Sequence, residues 1–327
     1  MVSRKEVADK AGVSVATVSY VLNDKPGVSD AVREKVRFAI EELGYKPSYA
    51  ARALKTKKTN CLSVFVNYLG DPFEAGLLNT LEQRAGQLGY YVYFHTYQQG
   101  QEKDFRRYFS GRIDGLLLMG QSLGEGTLRA LEAEDIPVVS IMEPVISEGI
   151  AAFVDIDWVS GMAAEIAHLK SRGHERIGFM ANGGKKHPHE RRTQAFYTAM
   201  EKAGLPVAQD LLYGGGRLEQ AQQAMANHIA LGMPGGHTAF IAASDLMATG
   251  MLAACREAGV QVPGTLAIAG CENIMMTMQT TPAITALHYP RPEIAALAVE
   301  LLVGRLNGEP IASRRMEAEL LIRESSR

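Results

Sequence analysis

Along residues 1–46 apolar side chains recur at helical spacing, and from residue 61 onward short apolar runs alternate with longer amphipathic stretches. The head reads as a set of short helices. Ser3–Ala11 places Val7, Ala8 and Ala11 on one face behind a Ser3 cap. Gly12 supplies a left-handed turn residue, and Ser14 caps a second helix over Val15–Asn23 whose Val18, Val21 and Leu22 face inward. Small Ala8, Gly12 and then Val18 suit two helices that cross closely, as in a helix-turn-helix. After an Asn23–Val28 loop, Ser29 caps a third helix with Val32, Val36, Ile40 and Leu43 at helical spacing. Gly44 ends it and Pro47 blocks its continuation.

The rhythm changes at Cys61. Leu62–Val66, Tyr90–Phe94, Gly115–Met119 and Pro137–Ile141 read as strands, separated by helices over 73–88, 102–110 and 126–134. The pattern then begins again: helix 160–172, strand Arg176–Met180, helices 191–203 and 218–231, strand Ala239–Ala242, helix 246–258 and strand Leu266–Ala269. Short apolar strands alternating with helices predict doubly wound parallel sheets. Two such halves imply a cleft lined by loops at the carboxyl ends of the strands. The expected fold class is therefore an all-α head, residues 1–46, a linker over 47–60, and a two-lobed α/β core over 61–327.

Charge sharpens this division. Residues 1–60 hold 12 Lys and Arg against 7 Asp and Glu, while the remainder holds 22 against 29, within a formal net charge of −2. A basic head on an acidic body points to a polyanion partner for the head alone. Within Ser48–Asn60, the cations Arg52, Lys55, Lys57 and Lys58 surround one large apolar residue, Leu54, with Ala50, Ala51 and Ala53 beside it. That stretch is too polar for a core helix. No run reaches the roughly 18 apolar residues of a membrane span, and Met1–Glu6 is charged, so a cytoplasmic protein with no membrane partner is expected. Cys61, Cys255 and Cys271 are odd in number and widely spaced, which suits buried or incidental thiols.

Strand-end geometry nominates the cleft lining: Asp71 and Phe73, Gln121, Glu143, Arg191 and Arg192, Ser244 and Asp245, and Glu272 and Asn273. Carboxylates beside arginine suit a polyhydroxylated ligand, because planar hydrogen bonds grip hydroxyls while Phe73 covers an apolar ring face. A sugar or sugar derivative leads. The basic loop Gly183–Arg192 favours a phosphorylated or acidic sugar, although Lys185, Lys186 and Arg191 facing solvent fits equally well. His187 and His189 have metal-like spacing without a third ligand, and Gly183-Gly-Lys lacks the remainder of a phosphate loop. No nucleophile sits in an elbow, so neither an enzyme nor a cofactor is expected. Paired carboxylates in a cleft also suit a glycosidase, a reading that leaves the head unexplained. A secreted solute-binding protein would share the cleft but not the head.

Val7-Ala-Asp-Lys-Ala-Gly-Val-Ser-Val-Ala-Thr-Val-Ser-Tyr-Val-Leu-Asn23, followed by Gly44-Tyr-Lys-Pro47 and Ala51-Arg-Ala-Leu-Lys-Thr56, resembles the lactose/galactose repressor (LacI/GalR) family, and the similarity covers nearly the whole chain. That resemblance implies a ligand-responsive repressor, a homodimer on double-stranded operator DNA with a carbohydrate-like effector. Residues 48–56 would then be a hinge helix that folds on the operator, with Leu54 as the wedge in the minor groove beside Ala53 and Lys55. The second helix would lie in the major groove. Val15, Ala16 and Tyr20 match the family's base-reading positions; Ser14, Thr17, Ser19 and Asn23 suit phosphate contacts or caps. Arg192 matches an effector-binding arginine, Ser244-Asp245 the family's Asn-Asp, and Glu272 an effector-binding aspartate. Tyr213-Gly-Gly-Gly-Arg217 departs from the pattern where many members carry a stacking aromatic near Gly216. The family's lobes exchange chain several times, which places crossings at Asp157, near 290 and near 320. The first lobe is thus expected over 61–157 plus 291–320, and the second over 158–290.

Overall fold

The computed structural model of the protein describes residues 2–46, 56, 58–97, 109–121, 123–144, 151–183, 190–207 and 211–327. The chain divides into two compact units, Met1–Thr59 and Asn60–Arg327.

The first unit contains α1 (Arg4–Ala11), α2 (Val15–Leu22) and α3 (Asp30–Leu43). Ser3 and Glu6 close a reciprocal cap on α1: the Glu6 N–H donates to Ser3 Oγ at 3.3 Å and the Ser3 N–H donates to Glu6 Oε2 at 2.7 Å. Gly12 adopts φ 66°, the left-handed conformation that stops α1, and Ser14 Oγ accepts the Thr17 N–H at 3.1 Å to start α2. Ser29 occupies the cap position of α3 but makes no side-chain cap bond, contrary to expectation. The helices enclose Val7, Ala8, Val18, Val21, Val36, Ala39 and Tyr45. The expected hinge helix over 48–56, with Ala53, Leu54 and Lys55, lies outside the described residues apart from Thr56.

The second unit contains two six-stranded sheets. Its strands are β1 (Cys61–Val66), β2 (Tyr91–Thr96), β3 (Gly115–Met119), β4 (Val138–Ile141), β5 (Ala151–Ile156), β6 (Ile177–Ala181), β7 (Leu212–Tyr213), β8 (Ala239–Ala242), β9 (Ala267–Gly270), β10 (Thr285–His288), β11 (Arg314–Met316) and β12 (Glu319–Leu321). The first sheet runs β11-β5-β4-β3-β1-β2 with every pair parallel. The second runs β12-β10-β9-β8-β6-β7 and is parallel except for β12 against β10. Central strands such as β3 are buried along their whole length, as strands covered on both faces must be.

The helices are α4 (Pro72–Gln87), α5 (Glu125–Ala133), α6 (Trp158–Ser171), α7 (Glu190–Lys202), α8 (Leu218–Ala230), α9 (Asp245–Glu257), α10 (Met275–Gln279) and α11 (Arg291–Leu306). Helix α8 crosses α9 so closely that a Cβ on Gly250 would meet the Leu218 carbonyl oxygen at 2.2 Å. The expected helix 102–110 falls almost entirely outside the described residues.

The chain passes between the sheets at Asp157, after Tyr289, and between Met316 and Glu319. The last passage falls before residue 320. Glu319–Leu321 therefore joins the second lobe rather than the first, and the end of the chain stays there: Ser325 Oγ donates to the Ile268 carbonyl at 2.5 Å and accepts the Thr285 N–H at 2.9 Å.

Candidate functional site

On the first unit, Val15, Ala16, Tyr20 and Asn23 are exposed and Ser14 caps the helix that carries them. Val15 and Tyr20 are each 46% exposed, which leaves large apolar surface unburied on one short helix. Thr17 is engaged locally, its hydroxyl 2.9 Å from Ser14 Oγ. Asn23 turns back to bond the Ser19 carbonyl at 2.6 Å, so these two polar groups hold the helix end as well as facing outward.

In the second unit, the loops at the carboxyl ends of both sets of strands surround a cavity of about 650 Å³. Asp71, Phe73, Gln121, Glu143, Arg192, Ser244 and Glu272 all line it. Asp245 does not. It is fully buried beneath the lining, where its carboxylate accepts the Glu272 N–H at 3.0 Å and the Ile274 N–H at 2.9 Å. Asp245 thus shapes the β9–α10 turn that presents Glu272, and its expected direct role gives way to a positioning one.

Arg192 is the centre of the second lobe's wall. Its Nη1 donates to Glu272 Oε1 at 2.8 Å and to the Ala243 carbonyl, and its guanidinium stacks 4.3 Å from the Trp158 ring centroid. Burial works against the charge on Arg192, but Glu272 beside it holds the guanidinium protonated. Burial raises the Glu272 carboxyl, with Arg192 opposing the shift. Burial and the adjacent Glu272 push Asp245 up to about 7 despite its two N–H donors. Glu165, fully buried close by on α6, has no hydrogen-bond partner among the described residues, and burial raises its carboxyl well above the ordinary range.

On the first lobe's wall the carboxylates are mostly occupied with backbone. Asp71 caps α4 through the Phe73 N–H at 2.8 Å. Glu74 accepts from the Asn67 and Tyr68 N–H groups, each at 2.9 Å, and burial raises its carboxyl. Gln121 Oε1 accepts the Met119 N–H at 2.7 Å, leaving its Nε2 buried and without a partner among the described residues. Asn182 Oδ1 on the opposite wall is likewise buried and unpartnered among them. One wall therefore presents a spare donor and the other a spare acceptor.

Among the described residues, contacts tie the lobes across this cavity. Arg191 Nη1 meets Asp155 at 2.7 Å, and the Arg217 guanidinium lies 4.3 Å from the Tyr68 ring centroid. Arg191 is therefore partnered rather than a free surface cation, while Lys185, Lys186, His187 and His189 lie outside the described residues. Sequence reasoning passed over Trp158, Tyr68, Asn182 and Arg217. Asn182 directly follows β6 and obeys the strand-end rule that found the others; Trp158 lies two residues past β5, a strand that was not among those expected.

Residues 4–48 match the model of bacterial regulatory proteins of the lacI family, and residues 166–326 match that of a periplasmic binding protein-like domain. Across 99% of its length the chain is 30% identical to the HTH-type transcriptional repressor PurR of Photobacterium profundum, covering 98% of that protein. Across the same share it is 32% identical to the HTH-type transcriptional repressor CytR of Escherichia coli, covering 96%. The transcriptional regulator CelR in complex with cellobiose aligns with a TM-score of 0.73 at 28% identity, over 99% of this chain and 100% of that one. The lac repressor dimer bound to operator and an anti-inducer aligns over 99% of both chains with a TM-score of 0.86 at 22% identity, a likeness of fold.

Proposed function

The chain belongs to the LacI family of bacterial transcriptional regulators, DNA-binding repressors governed by a small effector, and on that premise we propose that its cavity takes a neutral carbohydrate. The observation that carries this reading is the balance of side chains around the 650 Å³ space: among the described residues, carboxyls from Asp71, Glu74, Glu143, Glu190 and Glu272 outnumber the arginines Arg191, Arg192 and Arg217. Each arginine already has a partner in Asp155, Glu272 or Tyr68. An anionic ligand would have to displace one of them and face the surplus carboxylates. A polyol instead pairs its hydroxyls with Gln121 Nε2 on one wall and Asn182 Oδ1 on the other, and lays an apolar ring face on Phe73 or Trp158. The CelR–cellobiose complex and the ribose operon repressor of Escherichia coli, 27% identical over 99% of this chain, support a carbohydrate.

The protein acts in the cytoplasm as a homodimer on a near-palindromic operator, since one helix-turn-helix reads only a half-site. Ser14, Val15, Ala16, Thr17, Ser19, Tyr20 and Asn23 face the major groove. Ala53, Leu54 and Lys55 serve the minor groove. The effector shifts the balance between lobe arrangements and with it the affinity for operator, through a coupling of about 1–3 kcal/mol.

In the glycosidase alternative, Asp71, Glu74 and Glu272 are already committed to a helix cap, backbone N–H groups and an arginine, which leaves Glu143 and Glu190 as the carboxyl pair, and the helix-turn-helix head would have no role. Thermal unfolding against pentoses, hexoses, disaccharides and their phosphates tests the proposal, because a ligand that binds only the folded state raises the melting temperature. Neutral sugars should stabilise and phosphates should not. Stabilisation confined to phosphorylated sugars would reverse the assignment, and turnover of a glycoside would replace it.

A further inference from the structure

A second pocket, of about 540 Å³, lies in the second lobe away from the strand ends that form the effector cavity. Strand β7 contributes only Leu212–Tyr213, paired with Met180 and Ala181. The pocket opens beside the earlier residues of that edge, Arg176 and Ile177, and is walled by Leu212, by Ala224 and His228 of α8, and by the following Leu231. Its walls are mainly apolar, and Leu231 is 76% exposed, so hydrophobic surface stands open to water at its rim.

Two imidazoles form its inner end. His228 and His237 lie 5.8 Å apart between ring centroids, and both pack against Phe240, at 5.3 and 5.0 Å. His228 is 6% exposed, and its Nε2 has no hydrogen-bond partner among the described residues. A buried nitrogen of this kind costs stability unless something bonds to it. Burial and the neighbouring His237 both lower the His228 pKa, which keeps the ring neutral and able to donate from Nε2. At the open end Arg176 is exposed and supplies a cation.

We propose that this pocket is a second small-ligand site, distinct from the effector cavity, and that it takes an aromatic monocarboxylate. Such a ligand lays its ring against Ile177, Leu212 and Ala224, and its carboxylate reaches the Arg176 guanidinium at the open end. The charge at the rim selects a monoanion over a neutral ring, and the apolar walls select a ring over a sugar.

The probe is benzoate, with benzamide as its uncharged counterpart, titrated into the full-length protein by calorimetry and by ligand-observed NMR. Benzoate should bind saturably, and benzamide about tenfold or more weaker. Arg176→Ala, at an exposed position, should weaken benzoate by about tenfold. Ala224→Phe, which fills the pocket, should abolish it, with unfolding curves confirming that both variants fold. Arg192→Ala, in the other cavity and measured under conditions where its own unfolding curve shows it folded, should leave benzoate binding intact. The proposal is overturned if benzoate shows no saturable binding up to about 10 mM, if it binds equally to the Arg176→Ala and Ala224→Phe proteins, or if Arg192→Ala alone removes it.

Discussion

Arg192 donates to Glu272 at 2.8 Å with both side chains only 4% exposed, so a complete ion pair sits inside the protein at the wall of an open cavity. Removing one partner strands the other charge, which typically costs about 3–5 kcal/mol. Arg192→Ala should therefore lose both the effector response and that much stability in urea unfolding. Arg192→Ala combined with Glu272→Met should recover much of the stability while remaining unresponsive. If the double variant is no more stable than the single one, the pair is not what holds this wall together.

Buried acids make stability depend on pH. Asp245 is pushed from 3.8 up to about 7. Its folded pKa exceeds its unfolded one, so between those values the folded state holds a proton that the unfolded chain has released. Stability is then greatest at the acid end and falls as pH rises, by at most about 1.4 kcal/mol per unit for one proton. Glu165 shifts in the same direction, by burial and by the Asp245 charge. Histidines whose pKa burial lowers slope the other way between about pH 5 and about pH 8. The comparison is therefore between proteins: Glu165→Gln should lose less stability than the wild type as pH rises. An unchanged slope in that variant would place Glu165 outside the linkage.

Gly250 lets α8 lie against α9. A Cβ there would approach the Leu218 carbonyl oxygen at 2.2 Å and the Gln222 nitrogen at 2.9 Å, both backbone atoms that cannot turn aside. Gly250→Ala should cost about 1–3 kcal/mol, the usual range for overpacking. Chemical denaturation measures it, and a variant as stable as the wild type would show that the two helices separate freely.

For DNA, Leu54→Ala should weaken operator binding more than about tenfold with the salt dependence nearly intact, because a wedge acts by unstacking and not by charge. Lys55→Ala should flatten the salt slope with a smaller loss of specificity. Anisotropy titrations at several salt concentrations separate the two, and a Leu54→Ala protein that binds and bends operator normally would remove the wedge.

The sequence made the central strands of both lobes legible because they are continuous apolar runs, as in Leu116–Leu118. It concealed the strands that depend on distant partners. Ala151–Ile156 carries the charged Asp155, buried by Arg191 and Arg315 from elsewhere in the chain, and Arg314–Met316 and Glu319–Leu321 are too short to show a period. Strand-end reasoning reached Phe73, Gln121, Glu143, Arg192, Ser244 and Glu272 because topology alone directs those positions to the cavity. It misplaced Asp245, since residue type does not reveal whether a carboxylate faces a ligand or two backbone N–H groups. Trp158 and Arg217 escaped because the strands they follow, β5 and the two-residue β7, do not show as apolar runs in the sequence.

The three chain passages between the lobes have a mechanical consequence. Asp157 donates its N–H to the Met316 carbonyl at 2.9 Å, so two of the three connections are fastened side by side where they leave the first sheet. A single connection would let one lobe swivel, twist and drift against the other. Three connections, two of them fastened together, suppress swivelling and drift and leave bending as the soft degree of freedom. Whatever occupies the cavity is then read out as one angle.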